Sequence, residues 1–349
     1  MSVATDNLTP QQAKLLNAAR RGDETAFGAL VDPRRPELHA HCYRMLGSLD
    51  DAEDALQEAL LRAWRGLPRF EGRSSLRSWL YRIATNACLT LIEKRPKRVL
   101  PIDYGPSSID PHDAVREPPT ESVWIEPYPD EQLAVEDGPA APEARYEQRE
   151  SLELAFVAAL QHLPPNQRAA LIMREVLGFS ALEVAEALET TTASVNSALQ
   201  RARKLVDERL PAQSQQTTLR QLGDERLSEI VGEYMRALEQ GDVESIVAML
   251  TDDASWSMPP QPGWFHGHGA IVDFLVAHPF RLRWRDIPAR ASGQLAIGRY
   301  SWDDQRGTYR AHVLDVLTLR GEQISAVTAF IDRELFAHLG LPDELPPDG

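Results

Sequence analysis

The stretch "SALEVAEALETTTASVNSALQRARKLV", residues 180–206, contains two short apolar patterns separated by a polar turn. Ser180 precedes the first pattern and Thr191 or Thr192 precedes the second, and hydroxyl residues at such places cap helices well. Apolar residues recur every three or four positions, which is the period of an amphipathic helix. They are Leu182, Val184, Ala185 and Leu188, then Val195, Ala198, Leu199, Ala202, Leu205 and Val206. The pattern predicts a helix-turn-helix motif, with an ordinary helical hairpin as the alternative.

The outward face of the second predicted helix favours the helix-turn-helix. Its side chains are basic or form hydrogen bonds, as contacts with bases and phosphates require. We therefore predict that this helix enters a major groove of DNA. The predicted contact residues are Thr192, Ser194, Asn196, Ser197, Gln200, Arg201 and Arg203, with Lys204 beside them.

A second informative stretch is "FEGRSSLRSWLYRIATNACL", residues 70–89. The whole chain of 349 residues carries a net charge of −15, yet residues 62–98 contain ten basic and two acidic residues. A protein that coats nucleic acid is normally basic throughout, so contact with nucleic acid has to be local here.

Two interpretations of this basic stretch stand side by side. In the first, arginines neutralise phosphates, aromatic rings stack on unpaired bases, and the hydroxyl-rich loop receives a flipped base. In the second, Trp79 belongs to the core and the arginines only keep the surface polar. The helix predicted from Leu76 places five residues nearer the surface: Arg73, Arg77, Trp79, Arg82 and Asn86.

Charge and proline content divide the chain into units. Residues 99–148 carry twelve acidic and two basic residues together with nine prolines, and they show no sustained helical or strand period. Such a composition is typical of a linker. We predict a helical unit over residues 12–98, this linker over 99–148, a second helical unit over 149–210, and a mixed α+β unit over 220–340.

The run "DDAEDALQEALLRAWRGL", residues 50–67, predicts an amphipathic helix in the first unit. Its opposite face is acidic or polar, and it is either a solvated surface or a docking face for a protein partner. The residues of this face are Asp51, Asp54, Gln57 and Glu58.

The remaining composition excludes several classes of protein. The two cysteines, Cys42 and Cys88, are too few for a disulfide framework or a metal cluster, so we expect reduced, packed thiols. No apolar run is long enough to span a bilayer, and the first residues lack the pattern of a signal peptide. The sequence predicts a cytoplasmic protein without a metal or cofactor.

In order and spacing, these motifs resemble an extracytoplasmic-function (group 4) sigma-70 factor over residues 12–210. The segments that carry the resemblance are "DAEDALQEALLRAW", the basic stretch, the acidic linker and residues 163–206. The linker also contains "WIEPYP", residues 124–129, which is similar to a motif in sigma factors that carry an extra C-terminal domain.

The resemblance implies two all-α sigma domains and two partners, core RNA polymerase through its β′ and β subunits, and promoter DNA. It implies that Asp51, Asp54, Gln57 and Glu58 dock on the β′ coiled coil. It implies that the second helix of the helix-turn-helix reads the −35 element, although Asn196 and Ala198 stand where the family often has basic residues. The residues implied in melting the −10 element are Phe70, Arg73, Ser74, Ser75, Arg77, Trp79, Arg82 and Asn86.

The last unit shows strand-like alternation. "GTYRAHVLDVLTLRGEQISAVTAFID", residues 307–332, predicts two antiparallel strands joined by a turn at "RGEQ". Together with the preceding helices, it resembles a SnoaL-like, NTF2-like cone, whose relatives include isomerases and polyketide cyclases. The candidate pocket residues are Trp256, Trp264, His266, His312 and Asp315. The alternative is that the histidines are surface groups and the tryptophans are core.

We expect a sigma factor that directs promoter-specific transcription and is regulated by its SnoaL-like domain, with no catalytic residues. One alternative is a bifunctional protein whose last domain is an active isomerase or cyclase. Another is a DNA-binding regulator that senses a small ligand without joining polymerase. An unknown small ligand in the C-terminal pocket is compatible with each.

Overall fold

The computed structural model describes residues 9–112, 123–132 and 147–347. Its contacts divide the chain into two compact units. The first, called the helical unit, comprises residues 1–97, 132–140 and 159–209. The second, called the sheet unit, comprises residues 98–131, 141–158 and 210–349. No described helix is long and apolar enough to cross a membrane.

Five helices form the first part of the helical unit: α1 (Pro10–Arg20), α2 (Glu24–Val31), α3 (Arg35–Leu46), α4 (Leu49–Gly66) and α5 (Leu76–Ile92). The hydroxyls of Ser48 and Ser75 cap α4 and α5 by accepting backbone N–H groups of their first turns. The apolar stripe predicted for α4, from Ala52 to Ala63, is buried as expected. Cys42 and Cys88 are free thiols in this core.

The chain continues through the short helix α6 (Pro101–Tyr104) and then α7 (Leu154–Gln161), α8 (Pro165–Leu171), α9 (Ala181–Ala187) and α10 (Thr192–Asp207). The unit boundary falls within α7, after Ala158. Ser180 and Glu183 form a capping box at the start of α9, and Thr191 caps α10. Helices α9 and α10 are the predicted helix-turn-helix. Leu182 was expected inside, but it is 61% exposed because it lies on the outer side of the first turn.

The sheet unit wraps helices around one curved sheet. Its helices are α11 (Gln215–Gln240), α12 (Val243–Met249), α13 (Gly267–Ala277) and α14 (Glu334–His338). Its strands are β1 (Leu250–Ser257), β2 (Trp264–His266), β3 (Trp284–Ala291), β4 (Gln294–Asp303), β5 (Thr308–Arg320), β6 (Gln323–Phe330) and β7 (Glu344–Leu345). Their order is β2-β1-β6-β5-β4-β3, with β7 paired to β5. The antiparallel β5–β6 pair predicted from the alternation is confirmed.

The apolar core of the sheet unit lies between α11 and the inner face of the sheet. Tyr234 of α11 stacks on Trp256 of β1, with ring centroids 6.4 Å apart, and Phe265 stacks on Phe274 at 4.8 Å. Burying aromatic side chains of this size stabilises a domain by about 2–3 kcal/mol each. This core defines the interior of the cone.

Part of the predicted linker belongs to the sheet unit. Trp124, Ile125 and Tyr128 are buried. The backbone of Tyr128 exchanges hydrogen bonds with Ser292, because its N–H donates to the Ser292 Oγ at 2.9 Å and its carbonyl accepts the Ser292 N–H at 2.7 Å. Composition predicted a linker, and the structure shows that "WIEPYP" packs on the end of β3.

Candidate nucleic-acid interface

Helix α10 presents the residues predicted to contact DNA. The Thr191 hydroxyl accepts the Ser194 N–H at 3.1 Å, and this cap sets where the helix begins. All seven predicted contact residues, from Thr192 to Arg203, are exposed, while Val195, Leu199 and Ala202 hold the opposite face in the core. Arg203 forms an exposed ion pair with Glu175 at 2.6 Å. The geometry suits a helix that enters a groove with its polar face.

Helix α5 differs from the expectation at its aromatic residues. Trp79 and Phe70 are both 8% exposed, and their ring centroids lie 4.9 Å apart. The prediction of a surface tryptophan beside the arginines was therefore wrong, because Trp79 packs against Phe70 of the preceding loop instead. Arg73 and Arg82 are exposed, and Ser74 and Asn86 are half-buried.

The first turn of α5 packs against α9 and the segment that leads into it. Arg77 donates to the Leu177 carbonyl at 3.1 Å, and its guanidinium lies 4.5 Å from the centre of the Phe179 ring. The Ser78 hydroxyl donates to the Glu183 carboxylate at 2.8 Å. Part of the surface predicted to meet the −10 element is thus covered by the helix-turn-helix in this conformation.

Glu183 is held as a carboxylate at this contact. Partial burial acts to raise its pKa. Hydrogen bonds from Ser180 and Ser78 and the charge of Arg77 lower the pKa by more than burial raises it, so the pKa lies below its ordinary value. A carboxylate therefore stands beside Arg77, one of the residues for which the hypothesis predicts contact with DNA.

The acidic face of α4 is partly internal. Asp54 and Gln57 are exposed and Glu58 is half-exposed, as expected for a docking face. Asp51 is only 2% exposed and forms an ion pair with Arg95, whose guanidinium also lies 3.2 Å from Asp54. The expectation that Asp51 belongs to the surface was wrong, because its position in the first turn of α4 turns it towards the end of α5.

The cone interior contains a buried polar cluster. The Tyr234 hydroxyl donates to Asp315 at 2.9 Å, and Arg299 lies between two carboxylates, 3.2 Å from Asp286 and 3.7 Å from Asp315. Burial raises the pKa of Asp315, and burial likewise raises the pKa of Asp286 to about 7 despite the charge of Arg299. The guanidinium of Arg299 also lies 4.5 Å from the ring centre of Trp284.

Only part of the predicted pocket set meets in this interior. Trp256 and Asp315 are buried there, and half-buried His312 lies beside Trp284 where a bulge interrupts the β4–β5 register. Burial lowers the pKa of His312. Trp264 and His266 lie on the other side of β2 from buried Phe265, and Trp264 donates to the Gly105 carbonyl at 2.8 Å. Placing these two residues in the pocket was wrong, because side chains alternate along a strand.

Sequence reasoning missed Tyr234, Asp286 and Arg299. Asp286 and Arg299 stand opposite each other in the β3–β4 register. A signal was present, since each places a charge at a buried position of its strand, and opposite charges at such positions pair. Within the described ranges, no group of three or more His, Cys, Asp or Glu residues could hold a metal ion.

Comparisons with known proteins match each part of this architecture. The family profiles that match are Sigma-70 region 2 over residues 30–98, Sigma-70 region 4 over residues 153–206, and the SnoaL-like domain over residues 231–327. The ECF RNA polymerase sigma factor SigG of Mycobacterium tuberculosis is 44% identical over 340 residues, covering 93% of this chain and 86% of SigG. The chain belongs to the extracytoplasmic-function (ECF) sigma factors.

Other relatives agree with this assignment. The ECF sigma factor SigW of Bacillus subtilis is 29% identical over 56% of this sigma factor and 95% of its own length. The crystal structure of the Mycobacterium tuberculosis sigma factor SigJ superposes with a TM-score of 0.54 at 22% identity, covering 88% of this chain and 97% of SigJ, and it shows a shared fold. The protein is an RNA polymerase sigma factor that directs transcription initiation at promoters.

Proposed function

We propose that α10 reads the −35 element, that α5 and its preceding loop engage the −10 element, and that α4 docks on core RNA polymerase through Asp54, Gln57 and Glu58. The exposed polar face of α10 carries this proposal. Buried Asp51 supports the docking face of α4 indirectly, because its ion pair with Arg95 ties the segment after α5 to α4. These partners place the protein in the cytoplasm.

We infer that the described conformation of the helical unit is closed. Arg77 and Ser78 cannot contact a DNA strand while the Leu177 carbonyl and Glu183 occupy them. Reading two promoter elements at once requires α5 and α10 to contact separate stretches of DNA. Polymerase, which binds only the open form in this proposal, shifts the equilibrium through its unequal affinity for the two forms.

The SnoaL-like domain acts in this proposal as a regulator and not as an enzyme. Its ionisable groups in the cone interior pair with one another, and the segment at Trp124 and Tyr128 is buried on it. Because this segment precedes the −35-reading domain in the chain, docking it limits the conformations open to the linker. We expect release of the segment to raise transcription.

Promoter reading is tested by in vitro transcription with purified core polymerase and the full chain. Arg201→Ala removes an exposed side chain of α10 and is expected to reduce transcription at least fivefold, because such contacts contribute about 1–3 kcal/mol. Lys14→Ala, which removes an exposed charge from α1, is the matched control. Equal activity of the two variants contradicts the assignment of α10.

Opening of the −10 element is tested separately with Arg82→Ala. Arg82 is exposed, so its loss leaves the fold intact, unlike loss of buried Trp79. Permanganate reactivity of thymines near −10 should fall while co-purification with core polymerase stays unchanged. Unchanged reactivity removes Arg82 from the proposed site.

Regulation by the docked segment is tested with Tyr128→Ala, which deletes a fully buried ring. Limited proteolysis of the full chain should then cut within residues 123–131, and transcription should rise. Ile109→Ala, at a position 88% exposed, is the control for proteolysis. Cleavage within residues 123–131 of the unaltered chain contradicts the docking, and unchanged transcription by Tyr128→Ala contradicts the regulation.

A further inference from the structure

The sheet unit contains a cavity that lies apart from the polar cluster of the cone interior. Its volume is about 680 Å³, which is within the range of small-molecule sites. Its walls come from α11, from the edge strand β3, from the residues after α14, and from residues 129–131 of the docked linker. A molecule in this cavity would touch the linker and the SnoaL-like domain at once.

Most of the cavity wall is apolar. Leu227, Val231 and Met235 project from consecutive turns of α11, and Leu295 and Leu341 complete the surface. Leu227, Val231 and Leu295 are also members of the buried core, so this wall is held in place by the fold. The cavity therefore suits an apolar body that a preformed surface can bind without large rearrangement.

The linker side of the cavity is acidic. Asp130 is anchored, since its Oδ1 accepts the Gly293 N–H at 2.7 Å, and its charge interacts with that of Arg290, which also lines the cavity. Glu131 is exposed, and in the described part of the chain no basic side chain pairs with it. Its Oε2 lies 3.7 Å from the place that a Cβ on Gly340 would occupy, beside the cavity wall. Among the residues that the structure describes, the Glu131 carboxylate at the rim thus has no cationic partner.

We propose that this cavity binds a small organic cation with an apolar body, such as an alkyl or aryl amine, and that its binding holds the linker on the SnoaL-like domain. The apolar body lies on the α11 wall, and the ammonium group lies at Glu131. An anion of the same shape would meet the like charge of Glu131 there. Because linker residues form one wall of the cavity, the ligand binds only while the linker is docked on the SnoaL-like domain. Binding therefore raises the fraction of molecules with a docked linker.

Binding is tested with three probes of equal chain length, octylamine, octanol and octanoate, by isothermal titration calorimetry on the full chain. The expected result is saturable binding of octylamine, at least tenfold tighter than that of octanoate, with octanol between them. Equal affinities for the amine and the acid, or no saturable binding of octylamine, would overturn the proposal.

Variants locate the site. Glu131→Gln should weaken octylamine binding about threefold, as expected for an exposed charge pair, and Glu225→Gln, which changes an exposed carboxylate of α11 away from the cavity, should not. Gly232 lines the cavity within α11, where a Cβ meets only the end of Arg236 at 3.5 Å. Gly232→Leu should block binding at least tenfold while Gly232→Ala preserves it.

A last measurement concerns the linker itself. Saturating octylamine should slow proteolytic cleavage within residues 123–131 in the Tyr128→Ala chain, and it should not do so in a Tyr128→Ala/Gly232→Leu chain. Equal cleavage with and without the amine contradicts the coupling even if the amine binds. None of these measurements uses polymerase, so their outcome is independent of the promoter contacts proposed above.

Discussion

At the scale of single residues, Arg299 has the strongest predicted effect on stability. It is a buried cation between Asp286 and Asp315. Arg299→Met leaves these carboxyl groups without their cation, and breaking a buried ion pair from one side typically costs about 3–5 kcal/mol. Urea unfolding followed by circular dichroism measures this loss. Arg306→Met, which breaks an exposed pair with Glu344, should cost less than about 1 kcal/mol. Equal losses would show that the cluster is not structural.

Glu153 gives the sheet unit a dependence on pH. Its carboxylate caps α11 by accepting the backbone N–H groups of Gln215 at 3.0 Å and Gln216 at 2.8 Å. Burial nevertheless raises the pKa of Glu153 to about 7, from an ordinary value of 4.5. The folded state therefore holds this proton more tightly than the unfolded state does, so the stability from this group falls as pH rises from about 4.5 to about 7.

Glu153→Gln should flatten that dependence, because the amide oxygen still accepts a hydrogen bond but does not ionise. We expect the difference in unfolding free energy between pH 5 and pH 8 to shrink by up to about 3 kcal/mol. Urea titrations of both proteins at the two pH values provide the measurement. A steeper slope in the variant would contradict the assigned direction. Asp286 titrates in the same direction and remains in both proteins.

At the scale of elements, the contact between α5 and α9 is the feature to test. Ser78 of α5 donates to Glu183 of α9 across a partly exposed surface. A double-mutant cycle of Ser78→Ala and Glu183→Gln should show a coupling of about 0.5–1 kcal/mol in unfolding free energy. Glutamine can still accept a hydrogen bond and complete the capping box with Ser180, so the coupling measures what the negative charge of Glu183 adds to its contact with Ser78.

Ser78→Ala, which removes the donor of this contact, should also favour the open form of the helical unit. Loss of the contact lowers the cost of separating α5 from α9, so open-complex formation with core polymerase should be faster by a few fold. Glu186→Gln, at an exposed position of α9, is the control. If Ser78→Ala slows promoter opening instead, Ser78 contributes more to DNA contact than to closure.

At the scale of the whole molecule, we predict that joining polymerase opens the helical unit. Dyes on Arg69→Cys, in the turn between α4 and α5, and Glu186→Cys, on α9, should show energy transfer that falls when core polymerase is added. The native Cys42 and Cys88 are completely buried, so the introduced thiols should be labelled selectively. A pair at Arg69→Cys and Glu53→Cys, which reports on α4 and α5 alone, should not change. Constant transfer in the first pair would show that the contact persists in the holoenzyme.

The amino-acid sequence by itself determined several elements and the faces that they bury. Periodicity placed the helix-turn-helix from Ser180 onward, the exposed polar face of α10, and the β5–β6 pair, because burial on one side imposes a period that the sequence displays. The sequence predicted only one residue of the buried polar cluster. Asp315 was among the candidate pocket residues, while Asp286 and Arg299 were not.

The tertiary structure decided which partner each face meets. Arg77 and Ser78 contact residues 100 and 105 positions away, and the burial of Trp79 under Phe70 depends on a loop conformation. Tyr128, in a segment with the composition of a linker, is fully buried on the sheet unit. A sequence pattern shows that a face is apolar, charged or hydrogen-bonding. Which distant residue covers that face depends on packing between segments far apart in the chain, and this leaves no local period to read.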